Sequence, residues 1–245
     1  MIITIPDKVS WRKTIGTDSF SHYNKTNAKR ILKTSTHQKR DSIDFVIEAL
    51  TPDHLAWFEP MYISKIAQKI NPQIINLYDT TLKKENRHYK ILTITENQVN
   101  IGAIIFSETD TEVSISYKIF ADTWEVSTLP AGPSLYADYL LTESSMLAGK
   151  TVMSHGKDRN GYGITSSIGL AIFKILLGYK PYLPKKYVLQ TIDDTTIFGD
   201  VLYFRSTEGT PELEGNLYTT HATESSWLRL KSYEDQVKIG WVVRA

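Results

Sequence analysis

Lys174 stands among the apolar neighbours Ile172, Phe173, Ile175 and Leu176. A lysine so placed packs its stem and must bring its ammonium to a partner, because an unpaired buried charge is costly. Upstream lie His155, Lys157, Asp158, Arg159 and Asn160, a close run of hydrogen-bonding and ionisable side chains. Behind them come Gly161, Gly163, Ser166 and Ser167. Backbone flexible enough to approach a ligand, a run of polar groups and one lysine in an apolar stripe are the parts from which a site for polar or charged groups is made. The plain alternatives are a lysine that snorkels to water and a satisfied strand-end histidine.

The elements that must position these residues can be read from the same stretch. Thr151 to Ser154 reads as a short buried strand, and Ser166 or Ser167 can cap a helix carrying Ile168, Ile172, Phe173, Leu176 and Leu177 at helical spacing. Gly178 is placed to end that helix and Pro181 to prevent its resumption. The joint between strand and helix is longer and more polar than a connection requires. Elsewhere, Asp53 to Ile70 predicts an amphipathic helix capped by Thr51 or Asp53, and Gln73 to Lys84 a second, shorter one. Tyr89 to Thr95, Asn100 to Phe106 and Glu112 to Phe120 read as an antiparallel meander, with Ser114 and Ser116 leaving room for a substrate on the third strand. Leu129 to Ser134 is a turn into a helix from about Leu135 to Ala148. Strand character returns at Tyr187 to Thr191, Gly199 to Phe204 and Gln236 to Val243, while Ser206 to Tyr233 carries no assignable pattern. Helix, strand, two helices, meander, then strand, helix and strand suit an α+β class with a mixed, mostly antiparallel central sheet and helices on both faces. A single domain over residues 1–245 is expected, with a basic lead-in at about 20–40 and a C-terminal strand extension at about 187–245.

The pattern Gly169, Leu170, Phe173, Lys174, Gly178, Pro181 resembles the late helix of the FemAB-like branch of GNAT-fold acyltransferases. The segment from Asn27 to Leu32, the extended run Asp44 to Glu48, the long helix with Tyr62 and the meander with Ile101, Gly102 and Ala103 are similar to the family's earlier elements. The resemblance implies a GNAT-like acyltransferase fold, a Phe-Lys pair beside the reaction centre, and transfer of an acyl or aminoacyl group to an amine. On that reading Lys174 is the electrophile. Acyl transfer passes through a tetrahedral oxyanion, and a fixed cation in a low-dielectric pocket is worth on the order of 10² to 10³ in rate. Asp158 or His155 could orient the amine or relay its proton, since a free lysine amine has a pKa of about 10.4; Asp158 is assigned to binding and His155 to relay. Phe173, Asn160, Arg159, Ser116 and Tyr136 are the substrate-binding candidates. Amides around Gly132 and Ser134, or Gly163, Ser166 and Ser167, are the candidates for the donor's phosphates, because a helix start presents unpaired N–H groups.

Composition bounds the rest. A chain of 245 residues, 41% hydrophobic, has ample core, and no apolar run approaches a membrane span or a signal peptide, which predicts a cytoplasmic protein. The absence of cysteine excludes disulfides, thiolate metal sites and a cysteine nucleophile. Histidines at 22, 37, 54, 88, 155 and 221 show no metal-ligand spacing, so no metal is expected. Net charge of +1 argues against DNA, and one basic cluster, Lys25, Lys29, Arg30, Lys33, Lys39 and Arg40, could attract phosphates or simply be a solvated face. Gly149-Lys150-Thr151 mimics a Walker A ending but has Ser144 where the first glycine is required, and no Gly-x-Ser-x-Gly elbow exists. The expected partners are an acyl thioester donor, acyl-CoA or acyl carrier protein as co-substrate with no tightly bound cofactor, and a primary amine of a peptide or amino acid. Rival readings are transfer from aminoacyl-tRNA, as in the peptidoglycan-bridge enzymes of the family, and a non-catalytic peptide-binding module.

Overall fold

A computed structural model of the chain describes residues 2–18, 20–36, 43–68, 74–84, 86–121, 130–164, 166–193, 199–219 and 237–243. The chain forms two compact units, residues 14–153 and residues 1–13 with 154–245.

In the unit of residues 14–153, strands β4 (Tyr89–Glu96), β5 (Val99–Glu108) and β6 (Glu112–Phe120) form the expected antiparallel meander, and β3 (Ile43–Ala49) adds to β4 with Val46 opposite Thr93. Asn97 and Gln98 join β4 to β5 with positive φ at both positions, the hairpin geometry whose twist matches the strands. Helix α2 (Pro52–Ala67) starts at Thr51 as expected, in a capping box closed by His54. Its Leu55 and Phe58 pack on Ile91, Ala103, Ile105 and Ile119 of the sheet. The predicted stop at Asn71-Pro72 lies outside the described residues.

The helix expected over Gln73–Lys84 is a single turn, α3 (Leu77–Thr80). Thr80 and Thr81 turn their hydroxyls onto the carbonyls of Asn76 and Leu77, at 3.0 and 2.6 Å, and this competition from threonine side chains accompanies the early end. Gln73 itself lies outside the described residues. Helix α1 (Lys25–Ser35), capped by Asn24, packs on α4 (Pro133–Leu147). Tyr23 Oη donates to Asp138 Oδ2 at 2.6 Å and the Ala131 amide to Thr34 Oγ1 at 2.8 Å.

The other unit contains four strands that the sequence analysis did not identify, over residues 2–6, 8–14, 180–182 and 213–219. Strand β1 (Ile2–Pro6) pairs antiparallel with β9 (Leu189–Asp193), and β2 (Lys8–Thr14) with β8 (Lys180–Tyr182), Trp11 standing opposite Pro181. Strands β10 (Val201–Ser206) and β11 (Leu213–Thr219) are antiparallel, and β12 (Ile239–Val243) joins β11 in parallel. Part of the unassigned interval is thus strand, while 220–236 lie outside the described residues. Ile3, Ile5, Val201, Tyr203 and Tyr218 form the core beneath β1.

Strand β7 runs from Val152 to Arg159, not to Ser154 as expected. His155, Lys157, Asp158 and Arg159 are therefore strand residues, and the connection to α5 (Ile168–Leu176) is Asn160 to Ser167. Gly156, at φ 71°, lets the strand continue through its polar half. Helix α5 ends as expected, with the Gly178 amide on the Ile175 carbonyl at 2.9 Å.

Within that connection Gly163 has φ +104° and a Cβ there would overlap the Asp200 carbonyl. Gly149, after α4, also has positive φ but nothing within 4 Å of a Cβ. Gly163→Ala is expected to cost about 3 kcal/mol or more, against about 1 kcal/mol for Gly149→Ala, where only the backbone preference is paid. Urea unfolding of the two variants measures the difference.

Candidate functional site

Helix α5 buries Ala171, Ile172 and Ile175, and Lys174 with them, at 2% exposure. A helix this apolar leaves its lysine nowhere to snorkel, so the charge has to be met inside. Lys174 Nζ donates to Asp158 Oδ2 at 2.7 Å and to the His155 carbonyl at 3.1 Å, both on β7. The ammonium lies 5.7 Å from the Trp11 ring centroid, over its face. These are the only acceptors that Lys174 has among the described residues, and an ammonium carries three N–H groups. The third has no acceptor among the described residues. Burial pushes the Lys174 amine below its ordinary value, and the Asp158 carboxylate opposes that shift.

The opposite wall is aromatic. Tyr162, held on β10 by paired backbone hydrogen bonds with Leu202 at 2.8 and 2.9 Å, places its phenol oxygen 2.9 Å from Asp158 Oδ2 and 2.9 Å from Trp11 Nε1. Phe204 meets Trp11 edge-on at 5.4 Å and Tyr162 at 5.9 Å between centroids. Burial first, then the Asp158 charge, drive the Tyr162 phenol well above its ordinary value, so it stays protonated. Lys13, also buried, donates to the Leu177 carbonyl at 3.4 Å and sits over the Tyr179 ring, against which the His155 ring packs edge-on at 5.3 Å.

The fold thus joins the three residues expected to act together, with Asp158 turned to Lys174 and His155 contributing its carbonyl. Phe173 is half-buried beside them on α5 and Arg159 exposed at the end of β7. Other expectations are corrected. Asn160 is not available to a substrate: its amide donates to the carbonyls of Pro6 and Phe204 at 2.9 and 2.6 Å and accepts from the amides of Gly161 and Phe204 at 3.0 and 2.9 Å, which exhausts it. The Gly163 amide is spent on the Ser166 carbonyl at 2.6 Å, and the space beside the glycine is filled by Asp200. Ser167 is the helix N-cap without a side-chain cap bond, and Ser166 Oγ is buried with no partner among the described residues.

Ser116, Tyr136, Gly132 and Ser134 belong to the unit of residues 14–153. Tyr136 is a core residue, stacked on Tyr139 in a helix that buries nearly every side. Of the first amides of α4, Pro133 has none and that of Leu135 is turned to the Gly132 carbonyl at 3.1 Å, so the expected phosphate cradle shrinks to Ser134. Ser116 is half-buried on β6. Trp11, Lys13 and Tyr162 were missed by sequence reasoning. The alternation of Val9, Trp11, Lys13 and Ile15, a strand pattern with a lysine on its apolar face, was the available signal for the first two.

Two solved structures share this architecture. FemX superposes with a TM-score of 0.51 at 10% identity over 71% of this chain and 59% of its own. The C-terminal domain of a putative lysylphosphatidylglycerol synthetase from Agrobacterium fabrum gives 0.51 at 11% identity, over 79% and 63%. The chain shares the fold of FemX and of that synthetase domain. A tandem GNAT protein from the clavulanic acid pathway also matches, at TM-score 0.45 and 10% identity over 77% of this chain and 53% of that one. The chain thus spans between about half and two thirds of the length of these structures. No protein-family model matches the chain, and no curated protein matches its sequence.

Asn160→Ala is expected to cost on the order of 3 kcal/mol or more, because it strands buried backbone groups at three places in the chain, and to leave the acceptor KM unchanged. Denaturant unfolding beside steady-state kinetics distinguishes this from a binding role. Lys174 gives a second test. With its amine pushed below 10.5, the folded chain binds fewer protons than the unfolded one between the lowered value and 10.5, so stability rises with pH across that window. Urea unfolding through that range should show the rise in the native chain and lose this component in Lys174→Met.

Proposed function

We propose that the chain transfers an acyl group to a primary amine, with the Lys174 ammonium stabilising the oxyanion of the tetrahedral intermediate. The observation that carries this reading is a buried ammonium with two protein acceptors and one N–H to spare, set in a FemAB-like GNAT fold. The amine nitrogen attacks the donor carbonyl, the new C–N bond forms as the carbonyl electron pair moves to oxygen, and the spare N–H meets that oxygen. Collapse re-forms the carbonyl and expels the donor heteroatom, which leaves with the proton given up by the amine. Preorganised stabilisation of this kind is worth about 3 kcal/mol. Asp158 is not spare for binding the acceptor on this reading; it sets the charge and position of Lys174.

The donor we favour is an acyl thioester, on coenzyme A or a carrier protein, and the acceptor an amino acid or peptide amine. A near-neutral chain with one short basic cluster offers few phosphate contacts to tRNA. Transfer of an aminoacyl group from tRNA is the second reading. It is favoured by the consumed amides at Leu135 and Gly163, which remove much of the cradle a pyrophosphate would need, and by the name of the lysylphosphatidylglycerol synthetase whose fold is similar.

Offering acyl-CoA, acyl carrier protein and charged tRNA with a set of amines at physiological salt decides the donor; transfer from tRNA alone overturns the thioester. Lys174→Met should lower the single-turnover rate about 10² to 10³-fold. It should also destabilise, because Asp158 is left half-buried without its cation. Adding Asp158→Asn is expected to recover stability in thermal melting but not the rate. Recovery of the rate, or an unchanged rate in Lys174→Met, refutes the electrophile.

A further inference from the structure

The hydrogen bonds behind Lys174 can run in one direction only. An indole N–H donates and never accepts, so Trp11 Nε1 gives its hydrogen to the phenol oxygen of Tyr162, 2.9 Å away. The phenol has one hydrogen of its own, and at 2.9 Å it faces Asp158 Oδ2. That oxygen also receives a hydrogen from Lys174 Nζ at 2.7 Å. Two donors from different elements thus converge on one carboxyl oxygen of Asp158. Trp11 and Tyr162 are fully buried and hold each other and Phe204 edge-on, so neither ring can turn away without opening the packing.

We infer that Trp11 and Tyr162 are positioning residues for the proposed transfer: their one-way chain fixes the Asp158 side chain against Lys174, so that the ammonium is held where an N–H can meet the oxyanion. The inference rests on the reading of Lys174 given above and adds Tyr162, from the connection before α5, and Trp11, remote in sequence. The groups around Asp158 are consistent with the assignment. Lys174 meets it from α5 and Tyr162 from the connection after β7; Trp11 of β2 contributes through Tyr162, and Phe204 of β10 brings no charge. His155 presents its carbonyl to Lys174, and Lys13 lies against Tyr179. Burial keeps the Tyr162 phenol protonated, as a donor must be.

Tyr162→Phe removes the hydroxyl and keeps the ring. In the full chain with carboxyl-labelled aspartate at one fixed pH, the Asp158 carbon signal, identified by its loss in Asp158→Asn, should move in Tyr162→Phe as the carboxyl group loses a donor. kcat should fall about tenfold with the acceptor KM within about twofold. A purely structural role would lower the melting temperature and leave both the signal and kcat of the folded variant in place. Trp11→Phe, which removes the upstream donor, should move the signal in the same direction by less, and decides the matter if Tyr162→Phe does not fold. An Asp158 signal at its native position in the folded variant overturns the inference. If the native protein transfers nothing from any donor, the reading of Lys174 as an electrophile fails, while the Asp158 signal still decides whether the chain orders this carboxylate.

Discussion

An ammonium buried in a helix of isoleucine, leucine and phenylalanine must be compensated from outside that helix, and in this unit several features follow from that need. Desolvation favours the neutral amine, while a carboxylate at 2.7 Å, a carbonyl at 3.1 Å and the face of an indole favour the charged one. To deliver the carboxylate and the carbonyl together, β7 must stay extended through His155 and Asp158, beyond the point where its apolar residues end. To deliver the indole, β2 must carry Trp11 at a buried position. An ion pair of this kind is poor evidence for stability, since apolar replacements of similar volume do as well or better. On the function proposed above it holds charge in place and does not serve stability.

The polar residues of the strand-to-helix joint divide between two tasks. Asp158 and the His155 carbonyl address Lys174, whereas Asn160 and Gly163 serve the backbone. Asn160 ties the end of β1 to β10 through three hydrogen bonds and holds the Gly161 amide with a fourth, doing for an irregular crossing what a ladder does in a sheet. Gly163 allows the chain to pass against the Asp200 carbonyl, and its amide closes the turn that presents Ser166 and the start of α5. Both residues fix where α5 begins, and through α5 they fix Lys174.

A shared fold narrows chemistry without choosing it. The architecture held in common with FemX and the putative lysylphosphatidylglycerol synthetase domain, at 10 and 11% identity, carries backbone rather than site. The choice of donor therefore rests on local groups. Two amides that could hold phosphates are spent on their own turns, Leu135 at the start of α4 and Gly163 before α5. A buried cation whose third hydrogen has no acceptor among the described residues is the feature on which the proposed reaction rests.

Local pattern determined the meander, α2 and α5, each of which has an apolar face of its own, and α4, which was marked by the turn before it. Lys174 was legible for the same reason: a lysine inside an apolar helix must find a partner, wherever that partner lies. What tertiary structure decided was which polar residue that partner would be, and which neighbours would be consumed by the backbone. His155, Asp158 and Asn160 look alike in sequence, yet Asp158 pairs with Lys174 while Asn160 is exhausted by contacts more than forty and one hundred and fifty positions away. Tyr136 reads as a candidate and is core; Trp11 and Tyr162, 151 positions apart, meet only after β2 and β10 are in place. Hydrogen-bond capacity is a property of a residue, but how that capacity is spent depends on long-range contacts, and a linear pattern holds no record of those.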